Sequence, residues 1–155
     1  LATVLDRVAT VDQVQGRFAS SMRRGHPVRL LLAKNPAGWA AVFDLLDEST
    51  PADGPVVLSI NARTADGLDT SWLWDVPFER LAGRSVTATG DRRLDLAVRL
   101  RYADVPCAVV ADPLAAVDRA IDSGSPGGVA SGPDTRRGID FLGNYTAFAD
   151  LRRRL

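Results

Sequence analysis

The chain has 155 residues, of which 46% are hydrophobic and 25% charged, and this composition predicts one globular domain with a sizeable core. The 19 basic and 19 acidic residues cancel to a formal net charge of +0, which argues against a general binder of nucleic acid. A single cysteine and a single histidine exclude an internal disulfide and a Cys/His metal cluster, and no apolar run is long enough to span a membrane.

The chain is predicted to open with a helix, two strands and a second helix. Residues 1–15 favour a short helix and a linker, and the domain proper is expected to occupy residues 16–155. An edge strand is predicted at 18–22, before a turn. The nearly continuous apolar run at 28–33 indicates a central strand that is buried on both faces. Apolar residues at helical spacing then predict a helix at 39–48.

Strands and helices alternate through the rest of the chain. Apolar or β-branched runs predict strands at 56–60, 85–89, 105–110 and 139–142. Helices are expected after each of the last three strands, and the Gly/Ser/Pro-rich stretch at 123–137 predicts a loop. The alternation is typical of βαβ units. We therefore predict an α/β fold, a Rossmann-like domain of three layers with a mainly parallel sheet.

The two helices in the middle of this region have distinct sequence signals. The helix that begins near Gly90 and Asp91 repeats apolar residues at helical spacing, and its predicted buried face consists of Leu94, Ala97, Val98 and Tyr102. Its solvated side is predicted to carry the arginines at 92, 93, 99 and 101. For the next helix, Asp112 is the predicted N-cap and Pro113 belongs to the first turn.

A dense polar loop at residues 61–75 follows the strand at 56–60. Its polar side chains are Asn61, Arg63, Thr64, Asp66, Asp69, Thr70 and Ser71. Sites in α/β sheets lie at the carboxyl ends of strands, so the loop is a candidate site. The residues alone favour a plainer interpretation, in which Asp66 and Asp69 hold the loop's own backbone. Two indoles, Trp72 and Trp74, need cover from the loop core or from a partner.

Three loops are predicted to converge at one edge of the sheet. They span residues 34–38, 61–75 and 143–146, and each follows a strand that is expected to be parallel to the others. The first contains Lys34, which is the only lysine beside 18 arginines. A compact ammonium group at this place indicates a specific role, and chance retention of one lysine is the alternative.

Four segments, taken together, resemble the C-terminal domain of the MurT family, the Mur-ligase-like subunit of lipid II isoglutaminyl synthase. They are LAKNPAGW (32–39), NARTADGLDTSWLWDVPFE (61–79), TGDRRLDLAVRLRYADV (89–105) and GNYTAF (143–148). The resemblance implies the fold of Mur ligase C-terminal domains for residues 16–155, with residues 1–15 as the link from a preceding ATP-binding domain. ATP and Mg would be bound mainly by that preceding domain, and this segment alone is expected to bind neither.

The resemblance also implies a reaction and a partner. The family amidates the α-carboxyl of D-isoglutamate in the lipid II stem peptide, using ATP and ammonia that a separate GatD-type glutaminase subunit releases from glutamine. GatD supplies the Cys and the His of the glutaminase triad, and MurT supplies the Asp, which matches Asp69 here. The implied location is the cytoplasm, at the inner face of the plasma membrane, with lipid II as substrate.

Further residues are carried over from the resemblance with other roles. The residues expected to face nucleotide or substrate are Lys34, Asn35, Asn61, Asn144 and Tyr145. Those expected to form the loop core or the partner interface are Asp66, Trp72, Trp74 and Asp75.

Two other functions remain possible at this point. The domain would be a docking module if it bound the glutaminase without contributing a catalytic group. It would be an ordinary amino-acid-adding Mur-type ligase domain if a bound amino acid took the place of ammonia.

Overall fold

The computed structural model describes residues 17–124 and 137–155, so the helix and linker predicted at 1–15 and most of the loop predicted at 123–137 lie outside the described residues. The strands are β1 (Phe18–Arg23), β2 (His26–Leu32), β3 (Val56–Ser59), β4 (Val86–Thr89), β5 (Cys107–Val109) and β6 (Ile139–Gly143). The helices are α1 (Pro36–Ser49), α2 (Arg93–Tyr102), α3 (Pro113–Ser123) and α4 (Tyr145–Arg154), with short 3-10 helices at Ser71–Asp75 and Phe78–Leu81.

The strands form one sheet in the order β1-β2-β6-β3-β4-β5. Only β1 at the edge is antiparallel, and every other neighbouring pair is parallel. The last strand, β6, lies between β2 and β3, so that Gly143 is opposite both Leu32 and Ser59. The carboxyl ends of these three central strands therefore meet, and the predicted α/β fold with a mainly parallel sheet is confirmed.

Helices cover both faces of the sheet and complete the predicted three layers. On one face, α1, α2 and the 3-10 helices bury Trp39, Phe43, Phe78 and Leu96 against the strands. On the other face, α3 and α4 bury a second cluster around Phe141. The predicted N-cap of α3 is confirmed, because Asp112 accepts a hydrogen bond from the backbone N–H of Ala115 at 2.9 Å.

The predicted buried face of α2 is wrong. Leu94, Val98 and Tyr102 are 64%, 50% and 73% exposed, and the helix packs through a different row that contains Leu96 and Leu100. The sequence contains both apolar rows, about half a turn apart around the axis. The connection from β4 into α2 directs the leucine row towards the sheet.

Arg99 was predicted to be solvated, and this prediction is wrong too. It is only 5% exposed, because its guanidinium reaches the backbone carbonyls of Leu73 and Val76, at 3.1 and 2.7 Å, and the carboxylate of Glu79 at 2.9 Å. A buried guanidinium is tolerable when its N–H groups have such acceptors. Arg99 thus ties α2 to the 3-10 segment after β3.

Within residues 17–124 and 137–155, no helix combines the length and the apolar character that a bilayer crossing requires.

Candidate functional site

The ends of β3 and β6 are joined by a pair of asparagines. Asn144 donates from Nδ2 to the backbone carbonyl of Asn61 at 2.6 Å and accepts at Oδ1 from the backbone N–H of Asn61 at 3.1 Å. Both residues are almost completely buried, with Asn61 at 4% and Asn144 at 3% exposure. This reciprocal amide pair takes the place of a sheet ladder beyond the last strand residues and fixes where the polar loop begins.

Asn61 extends the same network to two further elements. Its side-chain oxygen accepts from the backbone N–H of Asp91 at 2.9 Å, just before α2, and its Nδ2 donates to Thr146 Oγ1 at 3.0 Å in α4. The loops after β3, β4 and β6 are therefore bonded to one another through a single side chain. In this arrangement the amides of Asn61 and Asn144 are used by the chain itself, and their predicted contact with substrate or nucleotide stays a prediction.

Asp66 caps helix α4 from a distance of 80 residues in sequence. Its Oδ1 accepts from the backbone N–H of Thr146 at 2.9 Å, and its Oδ2 accepts from the Thr146 hydroxyl at 2.5 Å. The N-cap residue Asn144 forms no side-chain cap, because its amide is turned towards Asn61. A carboxylate at a helix N-terminus is favoured by the helix dipole. Asp66 therefore both shapes the polar loop and anchors it to α4.

Gly90 allows the loop after β4 to approach β3 closely. Its φ is +93°, and a Cβ at this position would lie 2.6 Å from the carbonyl oxygen of Ile60. Only glycine accommodates both the positive φ and the close approach to Ile60.

On the α3/α4 side of this edge is a pocket of about 250 Å³, lined in part by Arg63, Asp91 and Asp150. Arg63 bridges these two carboxylates at 2.9 and 2.5 Å, and together they raise its pKa.

Asp69 lies at the exposed tip of the same loop. Gly67 adopts φ +87° beside it, and Leu68 is 73% exposed. Asp69 is exposed as well, and its Oδ1 accepts from the backbone N–H of Ser71 at 2.8 Å. Hydrogen bonds from the backbone and hydroxyl of Ser71 lower the pKa of Asp69 from its ordinary value. The tip therefore presents an ionised carboxylate to whatever lies outside the domain.

The segment after Asp69 places one indole inside and one outside. Trp72 is partly buried and stacks on Trp39, with ring centroids 6.3 Å apart and an interplanar angle of 28°. Trp74 is 54% exposed, and the guanidinium carbon of Arg99 lies 5.6 Å from the centroid of the Trp74 ring. Asp75 is exposed, and its carboxylate forms no hydrogen bond or ion pair with the residues that the structure describes. Trp72 therefore belongs to the loop core, whereas Trp74 is available to a partner.

Lys34 and Tyr145 come together at the same edge, as their loops predicted. The ammonium nitrogen of Lys34 lies 5.2 Å from the centroid of the Tyr145 ring, and both side chains are exposed. Asn35, also exposed, caps α1 by accepting from the N–H of Gly38 at 2.9 Å. The convergence of the three loops is thus observed, and the side chains of Lys34 and Tyr145 lie outside the buried amide network.

The residues at this edge suit an anion better than a metal ion. Residues 17–124 and 137–155 contain no group of three or more His, Cys, Asp or Glu side chains arranged to hold a metal. Lys34 projects an ammonium group without a carboxylate partner among the residues described, and an ammonium of this kind suits a phosphate or a carboxylate. These groups could face ATP or substrate from one side, as the resemblance implies.

Sequence reasoning missed Arg99 and the capping role of Asp66. Arg99 has no sequence signal of its own, because its burial depends on carbonyls more than 20 residues away. Thr146 could have been anticipated as the partner of Asp66, since a Thr in the first turn of a helix offers an N–H and a hydroxyl together.

Comparisons with known proteins agree with this geometry. The profile of the family described as MurT ligase C-terminal matches residues 32–148. The chain is 32% identical over 113 residues to the protein named lipid II isoglutaminyl synthase (glutamine-hydrolyzing) subunit MurT of Staphylococcus aureus strain COL, an alignment that covers 71% of this chain and 26% of that protein. The protein of the same name from Streptococcus pneumoniae is 35% identical over 80 residues, covering 50% of this chain and 18% of that protein.

The chain therefore spans about a quarter of the length of the curated relatives it matches. Among solved structures, the folylpolyglutamate synthase of Thermotoga maritima superposes with a TM-score of 0.56 at 19% identity, over 90% of this chain and 30% of that one, which shows a shared fold alone. The family profile covers well over half of the sequence, including all three loops that meet at the carboxyl edge of the sheet. The chain belongs to the MurT ligase C-terminal family.

Proposed function

We propose that residues 16–155 are the C-terminal domain of a lipid II isoglutaminyl synthase subunit, reached through residues 1–15 from an ATP-binding domain. With a GatD-type glutaminase subunit, the whole protein would amidate the α-carboxyl of D-isoglutamate in the lipid II stem peptide, using ATP and glutamine. The relatives that carry the name of this synthase support the proposal. The work would take place in the cytoplasm, at the inner face of the plasma membrane, where lipid II is available.

Asp69 is the residue on which the glutaminase half of the reaction depends in this proposal. In the complex, its carboxylate would accept a hydrogen bond from the catalytic histidine of the partner. This bond holds the imidazole in the tautomer that serves as a base and stabilises the imidazolium that forms. The observation that carries the proposal is the exposed, ionised carboxylate of Asp69 at the loop tip, with Ser71 holding one oxygen in place.

The chain's own histidine is badly placed for this task. His26 begins β2 at the amino edge of the sheet, where its Nδ1 lies 3.2 Å from the carbonyl oxygen of Arg137. Asp69 follows the carboxyl end of β3, which runs parallel to β2 within the same sheet. A strand of seven residues spans roughly 20 Å, so these two side chains lie at opposite edges. An imidazole that meets Asp69 would therefore have to come from outside this domain, and the proposal assigns it to the glutaminase subunit.

The synthase half of the reaction is assigned to the edge that carries Lys34. ATP, bound mainly by the rest of the subunit with Mg, would supply the phosphoryl group that activates the substrate carboxyl. Lys34 and Asn35 would face that group from this domain, and Lys34 would stabilise the negative charge that develops there. Tyr145 would position the Lys34 ammonium through the ring contact described above, beside the buried amides of Asn61 and Asn144.

The test is Asp69→Asn in the full-length protein with its glutaminase partner. We expect glutamine-driven amidation of lipid II to fall by about 10⁴-fold, the size of the loss when the Asp that orients a triad histidine is replaced by Asn. Amidation driven by free ammonium should be unchanged, because the synthase edge is not altered. Both rates are measured from the amidated lipid II that forms over time.

A matched control is Asp53→Asn, which removes an exposed carboxylate at the opposite edge of the sheet, paired there with Arg137. It should leave both rates unchanged. Survival of both reactions in Asp69→Asn would show that the domain is a docking module. Loss of both would place Asp69 in the synthase site or in the fold, and transfer of an amino acid in place of ammonia would show an amino-acid-adding ligase.

A further inference from the structure

Helix α2 carries an apolar row that faces solvent, in addition to the row that packs on the sheet. Leu94, Val98 and Tyr102 are spaced four residues apart, so they lie along one side of the helix over about 12 Å. Each is at least half exposed. Single apolar residues are ordinary on a protein surface, but a continuous row of large ones marks a place where something binds.

Trp74 extends this row to the loop that carries Asp69. Its ring meets Tyr102 edge-on, with centroids 5.3 Å apart, and it is itself 54% exposed. Trp74 belongs to the 3-10 helix that begins at Ser71, and the backbone N–H of Ser71 holds the carboxylate of Asp69. We call Leu94, Val98, Tyr102 and Trp74 the apolar stripe. The stripe thus ends on the segment that positions Asp69.

The surroundings of the stripe have the anatomy of a protein interface. Asp95 and Arg101 are exposed on either side of the α2 row, and Asp95 is paired with Arg92 at 2.6 Å. An apolar centre that contains a Trp and a Tyr, bordered by charges, is the usual composition of a protein-binding surface.

The two segments that form the stripe are joined by Arg99 within the domain itself. Arg99 lies beneath the stripe, bonded to the carbonyls of Leu73 and Val76, and stacks against the ring of Trp74. These contacts hold the 3-10 helix and α2 in a fixed relation. A surface that is ordered in advance loses little conformational entropy on binding.

We propose that the apolar stripe is the surface on which the glutamine-hydrolysing partner subunit docks. The inference rests on the proposed function. A protein that brings a histidine within hydrogen-bond distance of Asp69 has to lie against the loop tip, and Trp74 is on the segment that follows the tip. The stripe then supplies the contact area that a single carboxylate cannot supply, and it aligns the partner so that Asp69 reaches its histidine.

The test measures the affinity of the full-length subunit for its cognate glutaminase by titration calorimetry. Val98→Glu places a charge in the centre of the stripe and should weaken binding by about 30-fold or more. Tyr102→Ala removes the aromatic ring that touches Trp74 and should weaken it by about tenfold or more. Both side chains are at least half exposed, so the unfolding temperature should stay close to that of the unaltered protein.

The matched control is Met22→Glu, on strand β1 at the far edge of the sheet. Met22 is 61% exposed, comparable to the stripe residues, and lies outside both the stripe and the loops of the site. It should leave the affinity within about twofold of the unaltered value.

Activity separates the stripe from Asp69. With Val98→Glu, the glutamine-driven rate should fall at low partner concentration and recover when the partner is in excess, while the ammonium-driven rate is unchanged. With Asp69→Asn, the partner should bind normally and an excess of it should restore nothing. These opposite patterns support both proposals.

Other results overturn the inference in distinguishable ways. If Val98→Glu binds the glutaminase with unchanged affinity while Asp69→Asn loses the glutamine-driven reaction, the stripe is not the docking surface and the proposed function stands. An ammonium-driven rate that falls together with the glutamine-driven rate shows that the stripe packs on the rest of the subunit. A dimer that becomes a monomer, with partner affinity unchanged, shows a contact between two copies. A wild-type protein that binds no glutaminase overturns the proposed function and the stripe together.

Discussion

The base and the tip of the loop after β3 are built in opposite ways. At the base, Asn61 and Asn144 are almost completely buried. Their amides bond to the backbone of Asn61 and Asp91 and to the hydroxyl of Thr146, so that three elements are connected. At the tip, Leu68 and Asp69 are exposed, and the hydrogen bond to Asp69 comes from Ser71, only two residues away. The loop is therefore fixed where it leaves the sheet and open where it ends. A residue that serves another protein needs this combination, because it has to be both accessible and held in position.

The largest effect on stability is expected from Asn144→Ala at the base. The change leaves the buried N–H and carbonyl of Asn61 without partners, which should cost about 3 kcal/mol of the free energy of unfolding. Urea denaturation followed by circular dichroism measures this difference.

Asn35→Ala is the comparison for that measurement, because it removes the exposed N-cap of α1 and should cost about 1 kcal/mol. An equal loss in the two variants would mean that the buried amide pair is no stronger than an ordinary exposed cap.

A smaller effect is expected from Asp66→Asn, between the base and the tip. Asparagine keeps one acceptor oxygen, so either the cap on the N–H of Thr146 or the bond from its hydroxyl is lost, together with the charge that favours the start of α4. We expect a loss of about 1–2 kcal/mol in unfolding free energy. Hydrogen exchange of the first amides of α4 should increase most, and uniform protection along the helix would contradict the remote cap.

The smallest of these effects is expected from Gly67→Ala beside the tip. No atom lies within 4 Å of the added Cβ, so only the positive φ of +87° opposes the change, at about 1 kcal/mol. Thermal unfolding measures the loss, and Gly38→Ala in α1 is the control, because its φ is not in the left-handed region. A Gly67→Ala protein as stable as the unaltered one would show that the tip relaxes independently of the base.

The elements that could be predicted from the sequence are those with local signals. The apolar runs predicted the strands. Because parallel strands bring the loops at their carboxyl ends to one edge of the sheet, the meeting of Lys34 with Tyr145 followed from the predicted fold. The polar character of residues 61–75 also marked the loop that now carries the candidate site.

The parts that were missed depend on contacts between distant residues. Two apolar rows on α2 satisfy the helical period equally well, and only the packing on the sheet selects Leu96 and Leu100 over Leu94 and Val98. The burial of Arg99 likewise follows from carbonyls that the 3-10 turn exposes to it. Such choices are decided by tertiary contacts, which a periodic pattern does not contain.

The central position of β6 has a consequence for how this domain comes into being on the ribosome. The strand that fills the middle of the sheet is made last, and Asn144 follows its partner Asn61 by 83 residues. At roughly 5–20 residues per second, β3 waits about 4–17 s for its neighbour. During that interval β2 and β3 have no strand between them, and the unpaired backbone N–H and C=O groups that β6 will bond are open to chaperones or to a neighbouring chain. The domain is therefore completed only when its last segment is inserted.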